Sequence, residues 1–162
     1  MTFKKVFILT VILTCVAPIL AHEFWLQPQQ YLFSAGDEIN IRFKVGEGFA
    51  GDNWKGNDER VQELKLYYAD VKDDLKTALS SDEGDSVQFS LFEEGTAMVI
   101  FNSVNSFIEL EAPKFNEYLS EDGLSSAIDY RKEHNETDSM GHEFYQRSLK
   151  TIVHVGLKKT DI

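Results

Sequence analysis

Four histidines, His22, His134, His142 and His154, are the side chains in this sequence best suited to bind a metal ion. His22 opens the segment His22-Glu23-Phe24-Trp25-Leu26-Gln27-Pro28, directly after Ile19-Leu20-Ala21. A cut after Ala21 makes His22 the amino-terminal residue, whose free α-amine and imidazole can chelate one ion together. An unperturbed α-amine titrates at about pH 8 and an imidazole at about 6.5. A metal ion can therefore displace the protons of both at neutral pH. Nitrogen ligands of this kind suit nickel, cobalt, zinc and copper, with copper(II) bound most strongly by intrinsic order. Glu23 places a carboxylate beside the chelate. His142, in Met140-Gly141-His142-Glu143, is the expected second histidine ligand, against the plainer alternative of an exposed loop histidine. His134 lies in the charged stretch Arg131 to Glu136 and is expected to be solvated. His154 alternates with Val153 and Val155, which makes it a surface histidine on a half-buried strand. No His-x-x-x-His spacing occurs.

The chelate depends on processing. Lys4 and Lys5 precede the apolar run Val6 to Ala17, Pro18 breaks the run, and Ala21 supplies a small residue at the cut. This is the order of a cleavable secretory signal. The run is shorter than the roughly 20 residues a spanning helix needs. The expectation is a signal peptide over 1–21 and a single β-rich domain over 22–162, in the periplasm or secreted, with no membrane span after cleavage. A lipoprotein signal is disfavoured, because Thr14 precedes Cys15 where a smaller residue is usual. Cys15 is the only cysteine and leaves with the signal. The mature chain then has no disulfide and no thiolate, and its stability must come from packing. The chain carries 27 acidic against 16 basic residues, a net charge of −11, and loss of Lys4 and Lys5 makes it more acidic still. Such a surface argues against nucleic acid and anionic lipid as partners and favours attraction of cations.

The elements that must position these residues read first as strands. Glu38 to Val45 alternates polar and apolar residues after the turn signal Ser34-Ala35-Gly36-Asp37. Gly46 to Gly56 is glycine-rich and reads as a loop carrying Phe49 and Trp54. Further strands are expected at Glu63 to Tyr68, Ser86 to Leu91, Gly95 to Phe101 and Ser106 to Leu110, the last two pairing across Asn102 to Asn105. Helical spacing then takes over: Phe115, Tyr118 and Leu119, then Ala127, Ile128 and Tyr130, with Pro113 at a helix start and Gly123 between the two helices. Asn135 to Met140 is a polar loop. Glu143 to Leu157 is expected to begin helical or irregular and to end as a strand at Ile152 to Val155. The predicted fold is mainly β, an antiparallel β-sandwich-like domain with a short helical insertion at about 113–133.

Other chemistries lack their motifs. There is no Gly-x-Ser-x-Gly elbow and no phosphate loop. Asp73-Asp74 and Asp82-Glu83 with Asp85 lack the ordered ligand spacing of a calcium loop and read as solvated turns. Trp25, Phe49 and Trp54 could line a carbohydrate or peptide groove, although a sandwich core is the commoner fate of such residues. Asn135-Glu136-Thr137 matches a glycosylation acceptor, which has meaning only in a eukaryotic source.

Four segments in this order carry a resemblance: His22 to Pro28; Val45-Gly46-Glu47-Gly48-Phe49-Ala50-Gly51; Phe107 to Ala112 with Phe115 and Tyr118-Leu119; and Glu133 to Lys150 around Glu143-Phe144-Tyr145-Gln146-Arg147. Together they resemble a periplasmic family of unknown function labelled a nickel uptake transporter family, or periplasmic component of cobalt transport. The resemblance implies a β-sandwich and binding of nickel or cobalt in support of uptake, with an inner-membrane metal permease as partner. It also implies a histidine where this chain has Glu47, a change that favours harder ions. Members of that family commonly continue into a second β-rich half, so this chain is expected to be a short or C-terminally truncated member; if that half is needed to cover one sheet face, the chain should expose an apolar patch or self-associate. The expected function is non-enzymatic transition-metal binding, with His22, His142, Glu23 and Glu47 as ligands. The alternatives are a β-sandwich ligand- or protein-binding module without metal, and a copper protein using the amino-terminal histidine.

Overall fold

A computed structural model describes residues 23–54, 56, 58–80 and 84–157. The expected signal peptide, 1–21, and His22 lie outside the described residues.

The chain begins with β1 (Glu23–Pro28), β2 (Leu32–Phe33), β3 (Glu38–Glu47) and β4 (Ala50–Asn53). It continues through β5 (Val61–Tyr68), β6 (Val71–Asp74), β7 (Ser86–Ser90), β8 (Gly95–Ser103) and β9 (Ser106–Leu110). Helices α1 (Ala112–Glu121) and α2 (Ser125–Glu133) follow, and β10 (Gly141–Tyr145) and β11 (Ser148–Val155) complete the described elements. Among the described residues the strands form three sheets. In the first, β3 pairs with β1 on one edge and with β7 and β4 on the other, all antiparallel. The second runs β2-β11-β8-β5-β6 and is antiparallel except where the short β2 joins β11. The third is the ribbon of β9 and β10.

Alternation dictates how the two larger sheets meet. On β3, Ile39, Ile41 and Phe43 point inward, and Asn40, Arg42 and Lys44 point out. On β8, Ala97, Val99 and Phe101 are wholly buried. One hydrophobic core takes Phe24, Leu26, Phe43 and Val87 from the first sheet and Leu64, Leu66, Val99, Phe101, Val153 and Val155 from the second. The sheets therefore stack face to face as a sandwich. Phe43 and Phe101 meet across the interface with ring centroids 5.2 Å apart, and Trp54 lies 5.7 Å from Phe101. The fold is mainly β, with antiparallel sheets, two short helices and no closed barrel among the described residues.

Several expectations are corrected. Gly46 to Gly56 does not form one loop: β3 runs on to Glu47, and β4 folds back on it as a hairpin. Trp54 packs in the core, while Phe49 is 79% exposed. β9 does not pair with β8, because β5 and β11 already occupy both flanks of β8; it pairs with β10. No helix begins at Glu143. Gly141 to Tyr145 and Ser148 to Val155 are both strands. The helices fall where helical spacing put them, and α1 packs behind the ribbon. Phe115 sits so close to Gly141 that a β-carbon there would lie 2.0 Å from its ring. Tyr118 hydrogen-bonds Glu143; burial first, and that carboxylate second, push the phenol up to about 12.

Candidate metal and ligand sites

Two of the expected ligands stand at one end of the first sheet. The antiparallel register puts Glu23, the first residue of β1, opposite Gly46 of β3. Glu47 follows Gly46 and faces Ala50 across the hairpin. Both glutamates are exposed. The hairpin is tight because its paired glycines let the strands approach: a β-carbon on Gly46 would lie 2.1 Å from the Ala50 carbonyl oxygen, and one on Gly51 2.1 Å from that of Val45. Between them the backbone turns with Phe49 at φ 60°, in the left-handed region. The Phe49 ring meets Trp25 edge-on, at a centroid distance of 5.8 Å.

His142 belongs to a different element. It lies on the exposed face of the β9–β10 ribbon, directly across from Glu109, and its Nε2 is 2.8 Å from the Glu109 carboxylate. Phe107 and Phe144 share that face with ring centroids 5.0 Å apart, and the imidazole lies 5.8 Å from Phe107. Glu23 and Glu47 thus share one end of the first sheet but leave opposite faces of it, and His142 is held with Glu109 on the ribbon. The partner role of Glu109 could not be found from sequence, because the β9–β10 pairing that creates it was not visible there.

The remaining histidines have structural partners. The His134 ring stacks on Tyr130 at 3.9 Å, and its Nδ1 lies 2.8 Å from the Tyr130 carbonyl oxygen. His154 alternates with buried Val153 and Val155 as expected, and its Nδ1 lies 3.2 Å from the Thr96 hydroxyl. Asp85 is not a free acidic turn: its carboxylate accepts from Asn53 at 2.6 Å and from the hydroxyls of Ser80 and Ser86. It thereby ties β4 to the segment entering β7. Asp73 and Asp74 lie on the exposed strand β6; Asp82 and Glu83 fall outside the described residues. Among the described residues, no group of three or more His, Cys, Asp or Glu side chains is gathered to hold a metal ion. A site at the start of β1 therefore requires His22 in addition to Glu23 or Glu47.

The outer face of the first sheet carries a feature that sequence reasoning passed over. A groove of about 550 Å³ lies along β1 and β3, lined by Gln27, Gln29, Glu38, Asn40, Arg42 and Lys44. Gln29 is committed to the backbone, donating to the Glu38 carbonyl and accepting from the Asn40 N–H at 2.7 Å. Gln27 accepts from the Trp25 indole N–H at 3.1 Å. The signal lies in the polar positions of Glu38 to Val45, the outward half of that alternation.

Among the described residues no helix is long and apolar enough to cross a membrane. Residues 19–162 match the family described as Domain of unknown function (DUF4198). No curated protein and no solved structure matches significantly. Because the match covers nearly the whole sequence, the chain belongs to the DUF4198 family.

Proposed function

We propose that this DUF4198 member is an exported, non-enzymatic protein that binds a transition metal ion, nickel or cobalt, as cargo for an inner-membrane permease. The observation that carries this reading is the register at the start of β1. Glu23 stands opposite Gly46 and presents its carboxylate at the outer face of the strand end, next in the chain to His22, while the exposed Glu47, one residue further along β3, leaves the other face of the same sheet end. In this reading His22 supplies its amine and imidazole, and Glu23 or Glu47 supplies oxygen. The acidic surface raises the local concentration of cations. His142 can serve a metal only by releasing Glu109 or by sharing the ion with it. That requirement weakens the copper variant, which needs His142 as its second histidine.

Native mass spectrometry and calorimetry with nickel and cobalt test the reading. His22→Ala should weaken binding at least about tenfold, since it removes one arm of the chelate, and His134→Ala should leave it unchanged. Every ligand acts deprotonated, so affinity should fall as pH drops from about 8 toward 5. Absence of bound metal, or equal affinities for the two variants, would leave the second reading, a ligand-binding sandwich without metal. That reading draws its support from Trp25 and Phe49 on the outer face and from the groove beside them.

A further inference from the structure

We propose that the groove along β1 and β3 is a binding site for a sugar acid, a polyhydroxylated ligand carrying a single carboxylate. The groove lies on the face opposite the core, at the positions β3 turns outward, so its floor is rigid sheet. Arg42 and Lys44 are two residues apart on β3 and project from the same face. Their cross-strand neighbours on β1 are Gln27 and Trp25, and Ser86 of β7 lies across from Arg42. In a chain of net charge −11, two cations side by side would be expected to attract carboxylates of their own. Among the described residues the Arg42 side chain has neither a hydrogen bond nor an ion pair, and the Lys44 ammonium bonds only the Gly51 carbonyl oxygen at 3.3 Å. The nearby Asp85 carboxylate is already taken up by Asn53, Ser80 and Ser86.

The charge of the lining selects the ligand. Arg42 and Lys44 bring two positive charges and Glu38 one negative charge, which leaves one to be matched. A planar guanidinium with open donors fits a carboxylate in two-point contact. Apart from Pro28, the rest of the lining is carboxamide. Asn40 has no side-chain hydrogen bond among the described residues, and it can both donate to and accept from hydroxyl groups. A volume of about 550 Å³ is in the range of small-ligand sites and holds one or two sugar rings. A multiply charged acid would meet Glu38, and a neutral sugar would leave Arg42 unmatched.

The experiment is an amide-resolved NMR titration of the purified protein with cellobiouronate, a disaccharide with one carboxylate, and with cellobiose and pentaglutamate. Cellobiouronate should shift the amides of Gln27, Asn40, Arg42 and Lys44 saturably. Arg42→Ala and Lys44→Ala should each raise its Kd at least tenfold, while Lys150→Ala, on the other sheet, should not. Arg42 is exposed, and unchanged resonances from β8 and β11 will report that its variant is folded. No saturable shift with cellobiouronate overturns the proposal. So does equal binding of cellobiose, equal binding of pentaglutamate, or an Arg42→Ala variant that binds as well as the parent.

Discussion

Arg131 shows how much a single residue carries in this fold. It is buried on α2 without a carboxylate partner among the described residues. Its Nε donates to Asn116 at 3.0 Å, its Nη2 donates to the Ser139 carbonyl oxygen, and its guanidinium lies 5.0 Å from the Phe115 ring. These contacts join α2 to α1 and to the loop before β10. Arg131→Ala leaves two acceptors unpaired and a void beside Phe115, and should cost about 2–3 kcal/mol in denaturant unfolding. Lys132→Ala removes only an exposed pair with Asp129 and should cost less than about 0.5 kcal/mol. Tyr118 gives a prediction in pH. Its folded pKa is raised from 10.0 to about 12, so the folded state holds its proton where the unfolded chain has lost it. The associated stability is intact below pH 10 and is lost as pH climbs toward 12. Tyr118→Phe should flatten that decline in urea titrations across the same window. Neither role was legible in the sequence, where Arg131 was one charge in a solvated run and Tyr118 one apolar position of a helix.

At the scale of elements, the strands with clean alternation were legible and the partners were not. Glu38 to Val45 and Glu63 to Tyr68 are strands because every second residue is apolar and the core lies on one side. The link of Val104 and Asn105 looked like a hairpin joining β8 to β9. What decides the pairing is the occupancy of both flanks of β8, a fact about β5 and β11 that no local window contains. The β3–β4 hairpin was hidden because glycines, which weaken a strand signal, are what allow its close approach. Gly46→Ala should force that hairpin open, since the new β-carbon would overlap the Ala50 carbonyl. The amide resonances of Glu47 to Asp52 should shift while those of β8 stay put, and nickel affinity should fall with the displaced Glu47. Gly141→Ala should instead lift α1 off the ribbon through Phe115 and lower the thermal midpoint without touching the metal.

For the whole molecule, the sandwich class was legible because the inward and outward halves of each strand separate in the sequence. The choice of core aromatics was not. Phe24, Phe43, Trp54 and Phe101 form one cluster across the two sheets, whereas Phe49 and Trp25 meet outside it. Phe101→Ala should cost about 3–5 kcal/mol, because the deleted ring leaves a cavity between sheets that cannot close over it. The candidate metal site was half legible. Glu23 and Glu47 share one end of the first sheet through the β1–β3 register but leave opposite faces, and His142 is held elsewhere by Glu109. The central claim therefore rests on a free amino-terminal His22, and the direct measurement is nickel calorimetry on the mature protein with and without one alanine added before His22. The account predicts that the added residue, which displaces the amine and keeps the imidazole, weakens binding at least about tenfold. Unchanged affinity would contradict it.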